Sequence, residues 1–300
     1  MRKLEWIIPE AHRRGRKTIF AVGGIGTHWG LAAALYGHEH GLKTVLGLVE
    51  QPVDDHVRDQ LRHLQASGAS IHRYRNKYLL IAASPYLLAR YSRRGRLPYY
   101  LPAGGSSVVG ALGYVEASYE IAQQVRGKLM PEPATLVTAV GSGGTAAGLA
   151  LGLRMAGLSP RVFGVVVNDV LTLDAPAIAK LARKTEGLLH DRGAEFAPVD
   201  IQAADVIMRD DWLGETYGSS TPASLEAERL ARDNEGLTLE PVSGTGGHTG
   251  PRWLAAGTDS VPQYARAARD ALTEACCGIP VIKNADKSVD RERSLRFDYF

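Results

Sequence analysis

The sequence predicts an α/β fold with mainly parallel sheets, divided between two domains. Three observations carry that prediction. Short apolar runs alternate with amphipathic stretches from Lys17 onward, and glycine-rich junctions recur where a run hands over to the next helix. The third is size: 300 residues with 45% hydrophobic composition can bury one large core or two moderate ones.

Taken in order, Thr18 to Val22 and Lys43 to Val49 are apolar runs of strand length, and helical stretches follow them at His28 to His40 and Val53 to Ser67. The alternation resumes with a strand at Pro98 to Leu101, a helix from about Val108 to Arg126 and a strand near Ala134 to Val140. A helix from Thr145 to Ala156, a strand from Arg161 to Val167 and a later helix from Pro222 to Arg232 complete the pattern. The expected division is a smaller domain over residues 1–101 and a larger one over 102–300. After about residue 243 the alternation weakens and charge rises, an atypical tail.

Composition excludes several classes of function. The 35 basic and 32 acidic residues leave a formal charge of +3, too small and too interleaved for nucleic acid or an anionic membrane as the main partner. The two cysteines, Cys276 and Cys277, are adjacent, which provides neither a disulfide framework nor a metal-ligand spacing. No apolar run reaches the roughly 18 residues of a membrane span, and charges stand where a signal peptide would be hydrophobic. These features read as a cytoplasmic protein.

Three junctions could carry chemistry, because glycine permits tight turns and the following helix N-terminus is electropositive. The sharpest is Gly141-Ser142-Gly143-Gly144-Thr145, after the strand ending at Val140. Its spacing is neither G-x-G-x-x-G nor G-x-x-x-x-G-K-[ST], and it suits either a compact phosphate cup or simple close packing. The second is Gly23-Gly24-Ile25-Gly26-Thr27-His28, where Thr27 and His28 are either a helix cap beside a surface histidine or a hydroxyl and imidazole aimed at a ligand. The third, Pro102-Ala103-Gly104-Gly105-Ser106-Ser107, is weak alone.

In sequence order, Arg2-Lys3-Leu4-Glu5, Gly23-Gly24-Ile25, Gly104-Gly105-Ser106 with Gly110 to Glu116, Gly141 to Thr145, Tyr217-Gly218 with Thr221-Pro222, and Glu240-Pro241-Val242 form a series. The series resembles the pyridoxal-phosphate enzymes of the D-cysteine desulfhydrase and 1-aminocyclopropane-1-carboxylate deaminase family, within the tryptophan synthase β-like fold. The resemblance implies that Gly141, Ser142, Gly143, Gly144 and Thr145 cradle the phosphate of pyridoxal phosphate, with Lys3 as a second contact. Thr27 stands where the family has a serine proposed to act on substrate, and His28 where an asparagine hydrogen-bonds the cofactor's phenolic oxygen. Tyr217 matches a tyrosine lining the active site. The implied activity is a lyase on a small amino acid, by β-elimination to pyruvate and ammonia or by ring-opening deamination, in a homodimer.

The pattern departs from the family at two places. The family's Schiff-base lysine would fall immediately before Met1, so the expectation is that this sequence lacks an N-terminal segment. After Pro241-Val242 the family has a tyrosine at the cofactor ring, where this chain reads Ser243-Gly244-Thr245-Gly246. A non-catalytic descendant that binds a phosphorylated ligand, or an inactive fragment, are the alternatives.

Overall fold

A computed structural model describes residues 2–236 except Thr216 and Gly218. The expected tail after residue 243, the Glu240-Pro241-Val242 string and both cysteines lie outside the described residues.

The chain opens on α1 (Arg2–Arg13) and continues through β1 (Thr18–Gly24), α2 (His28–Glu39), β2 (Lys43–Val49) and α3 (Asp55–Ala66). Next come β3 (Ser70–Tyr74), α4 (Lys77–Arg90), β4 (Tyr99–Leu101) and α5 (Val108–Arg126). The described part ends with β5 (Thr135–Val140), α6 (Gly144–Met155), β6 (Arg161–Val166), α7 (Ala175–Asp191), β7 (Val206–Arg209) and α8 (Pro222–Glu235). One sheet has the order β3-β2-β1-β4 and the other β5-β6-β7, and every pairing is parallel. The α/β class with mainly parallel sheets is therefore as the sequence predicts.

Strand periodicity explains how the first sheet is covered. Ile19 and Ala21 join Leu46 and Leu48 in a core with Ala33, Val57 and Leu64 of α2 and α3. The alternate residues Phe20 and Val45 pack instead with Leu80 and Leu87 of α4. In the second sheet Leu136, Val140 and Val162 meet α5, α6 and α7, while Val137, Phe163 and Val165 cluster with Ile207 and Trp212. Among the described residues no helix is long and apolar enough to cross a membrane.

Every strand and helix expected from the pattern is present within a few residues of its expected ends. The elements α1, β3, α4, α7 and β7 are additional. Both extra strands are short and stand at sheet edges, where partial exposure blurs alternation. Helix α4 carries Pro85 and exposes Tyr78, Ile81 and Tyr86, so it lacks a polar face to give a helical period.

Helix α1 is buried between α5 and the core of the first sheet. Leu4, Ile7, Ile8 and Ala11 form its buried stripe at i, i+3, i+4 and i+7. Arg2 clamps Glu120 on α5 with two bonds of 2.6 Å, and Trp6 Nε1 donates to Glu116 Oε2 at 3.0 Å. Glu10, only 3% exposed, accepts from Arg13, Arg14 and Arg192, the last at the end of α7. The hydrogen bond from Arg13 is the foremost cause that holds its carboxyl at about 2, below the ordinary value of 4.5. Helices α5 and α6 approach so closely that a Cβ on Gly148 would stand 2.3 Å from the Ala111 carbonyl oxygen.

Gly148→Ala should therefore destabilise the fold by about 1–3 kcal/mol, because the obstacle is backbone rather than a movable side chain; chemical denaturation measures it. Glu10→Gln should cost about 1–2 kcal/mol at neutral pH, as three guanidinium partners lose an ionic acceptor. A depressed carboxyl contributes stability above its unfolded value near 4.5 and loses it as pH falls through about 2. The gap in thermal midpoint between wild type and Glu10→Gln should thus close on acidification towards that value.

Candidate functional site

All strands of each sheet run parallel, so their carboxyl ends gather the connecting loops on one side. That topology brings together the first and third glycine-rich junctions, after β5 and β4. Gly104 has φ +58 and Gly143 φ +86, left-handed conformations that favour glycine. Gly104 also lies so close to Ser142 that an added Cβ would stand 2.1 Å from its hydroxyl.

Ser106 is the knot of the arrangement. Its Oγ accepts the Gly144 N–H at 2.8 Å and donates to Ser142 Oγ at 2.8 Å. Lys3 Nζ lies 3.4 Å from the same oxygen and donates to the Gly104 carbonyl at 2.9 Å. One donor and two acceptor positions of a hydroxyl are all used. Gly143 caps α6 without a side chain, leaving the Thr145 and Ala146 N–H groups of the first turn without intrahelical acceptors.

Lys3 is 9% exposed and forms no ion pair with any described carboxylate. Burial alone lowers its ammonium from 10.5 to about 8. Lys3 also lies 5.7 Å from the Tyr114 ring centre, a cation–π contact that partly replaces lost hydration. A buried cation beside two hydroxyls and a helix N-terminus lacks only an anion, and a phosphate group fits that donor set.

The second junction follows β1 and is built differently. Thr27 is buried and caps α2, accepting the Gly30 N–H at 3.0 Å, so the expected cap is real and its hydroxyl proton is still available to a further acceptor. His28 is exposed and turns to α3, where Nε2 lies 2.9 Å from His56 Nε2 and Nδ1 bonds Gln60. Gln51, beyond β2, supports the loop by accepting the Gly26 N–H at 3.2 Å.

Tyr217 comes from the chain after β7, yet its ring reaches the first sheet. A Cβ on Gly24 would lie 3.8 Å from the Tyr217 ring, and the Tyr217 N–H donates to Asp169 Oδ1 at 3.0 Å. Asn168 donates to the Gly141 carbonyl at 2.9 Å, so one loop after β6 braces both the cup and Tyr217. The structure thus joins Lys3, Ser142 and Gly144 through Ser106 and sets Tyr217 beside the loop bearing Thr27 and His28. It holds the His28 imidazole on α3.

Sequence reasoning missed the roles of Ser106, Gln51, His56, Gln60, Asn168 and Asp169. Ser106 alone carried a signal, a hydroxyl directly after paired glycines. The others are polar residues in loops or on a helix, and only their partners distinguish them.

Comparison with known proteins agrees with this geometry. Residues 1–257 match the sequence model of a family described as pyridoxal-phosphate dependent enzyme. The chain is 30% identical over 248 residues to D-cysteine desulfhydrase of Klebsiella pneumoniae (strain 342), spanning 81% of this chain and 72% of that one. D-cysteine desulfhydrase of Salmonella paratyphi A is likewise 30% identical over 247 residues, with coverage of 81% and 72%. Among solved structures, an ACC deaminase homologue superposes with a TM-score of 0.71 at 25% identity, covering 90% of this chain and 75% of that one. O-ureido-L-serine synthase shares the fold at a TM-score of 0.56 and 13% identity, over 95% and 84% of the two chains. With a family match across most of its length and a cup that fits the cofactor's phosphate, this chain belongs to the pyridoxal-phosphate dependent enzyme family.

Proposed function

We propose that the protein is a lyase for a small amino acid, working by D-cysteine desulfhydrase-like β-elimination. Cysteine and water would yield hydrogen sulfide, ammonia and pyruvate as the carbon–sulfur bond breaks and the α-carbon loses its proton. The observation that carries this reading is the buried Lys3 ammonium facing the cup of Ser106, Ser142 and the α6 N-terminus, with no carboxylate among the described residues to neutralise it. Pyridoxal phosphate, when bound, supplies an electron sink for the charge that develops at the α-carbon.

The roles of the chain's own groups follow from their placement. Lys3 and the first-turn N–H groups of α6 anchor the phosphate, fixing the cofactor at the carboxyl ends of both sheets. The Thr27 hydroxyl, held by its cap bond, donates or accepts a proton at Oγ1 beside the reacting carbons. Tyr217 closes the same side from the second sheet and excludes water, and His28 offers an imidazole hydrogen bond to the cofactor's phenolic oxygen by turning from α3. The same reading divides the chain near Leu101, pairs it as a homodimer and places it in the cytoplasm.

Replacing Lys3 with Met keeps the volume and removes the charge, and pyridoxal phosphate affinity measured by fluorescence titration should fall at least about tenfold. In the apoprotein the Lys3 ammonium loses its proton near pH 8, so affinity in the wild type should decline as pH rises through that value. The Lys3→Met variant should show no such decline. Equal affinities for the two proteins would remove the cup from the reading.

Turnover tests the reaction itself. The protein extended upstream through the family's lysine should release pyruvate from D-cysteine. Thr27→Val should lower kcat by about a hundredfold, whereas Thr27→Ser, which keeps hydroxyl and cap, should retain most of it. Release of 2-oxobutyrate from 1-aminocyclopropane-1-carboxylate, with no pyruvate from D-cysteine, would move the assignment to ring opening.

A further inference from the structure

A cavity of about 770 Å³ opens at the opposite edge of the first sheet, where β1 and β2 begin rather than end. Its volume is that of pockets that hold small molecules. Lys17, Lys43, Arg93 and Arg94 line it together with His38, and no carboxylate among the described residues does. Seven residues of β1 separate this edge from the glycine-rich junctions, about 20 Å at the rise of a strand. The cavity is therefore distinct from the cup.

Among the described residues the cations have no acidic partners. Lys43 Nζ stands 5.1 Å from the centre of the Tyr91 ring, and the side chains of Lys17, Arg93 and Arg94 pair with no described carboxylate. Arg93 and Arg96 exchange backbone hydrogen bonds of 3.0 Å, closing a tight turn with Arg94 at φ +51 and Gly95 at φ +72. An arginine in the left-handed region is strained, and the turn fixes its side chain beside Arg93.

Basic residues often gather at the negative ends of helices, and α2, α3 and α4 all finish near this edge. Those ends already carry basic residues in their last turns, His38, His63 and Arg90. Lys17, Lys43, Arg93 and Arg94 lie outside those turns, on the strand starts and the turn after α4. Glu39, at the end of α2, does not line the cavity. Four additional positive charges around one concavity thus exceed what the helix ends require.

We propose that this cavity is an anion site for a small molecule carrying a diphosphate group. The two lysines act as point charges and the paired arginines as forked donors to adjacent phosphate oxygens. Bound there, the ligand would tie the starts of β1 and β2 to the turn after α4, on the face of the sheet remote from the cup.

Inorganic pyrophosphate, titrated calorimetrically into the chain, is the probe. Saturable binding is expected, weakening steeply with added salt. Combining Lys17→Gln, Lys43→Gln and Arg94→Gly should weaken it more than tenfold; all three positions are exposed, and glycine suits the left-handed backbone at 94. Lys3→Met, which alters only the cup, should leave the affinity unchanged. Absence of saturable binding would overturn the proposal. So would affinity that survives the triple variant or that is lost with Lys3→Met.

Discussion

The placement of α1 governs the site. Its buried stripe sinks into the core, the Arg2–Glu120 clamp fixes it against α5, and Glu10 ties its far end to Arg192 at the end of α7. These contacts lie at both ends of the helix and leave it no freedom to slide. Lys3 is thereby carried to a place where its ammonium has lost hydration and meets, among the described residues, a carbonyl, a hydroxyl and an aromatic face. The fold holds that charge at a cost, and an anion at the cup would offset it.

Small residues make the cup possible. Gly104 and Gly143 take backbone shapes that favour glycine, and the closeness of Gly104 to Ser142 lets two loops from different sheets interlock through Ser106. The same closeness extends into the helices behind, where Gly148 lets α5 and α6 meet backbone to backbone. A cup built on such contacts is rigid before any ligand arrives, which is the condition for selective phosphate binding.

The two ends of the first sheet present different chemistry. At the carboxyl edge, loops offer hydroxyls and N–H groups and α1 adds one buried cation, an arrangement suited to a single phosphate. At the opposite edge, four solvated cations ring an open cavity. Parallel topology produces this asymmetry, since helix N-termini gather at one edge and C-termini at the other.

Much of the architecture was legible from local pattern. Strands such as Lys43–Val49 are continuous apolar runs because both faces are buried, and helices such as Val108–Arg126 have the length and apolar content that burial requires. Gly141 to Thr145 stood out locally as five small residues between strand and helix, open to a phosphate cup or to close packing. Residues whose meaning is long-range were not legible. Nothing about Ser106 or Asp169 by itself says that one receives Gly144 and the other holds Tyr217, 48 positions away. The sequence by itself determined the parallel α/β class and the family, because these rest on local periodicity and ordered motifs. Only the tertiary structure decided that Lys3 is a buried cation paired with no described carboxylate, that Thr27 is a cap and that His28 rests on α3, because burial and partnership depend on segments distant in the chain meeting in space.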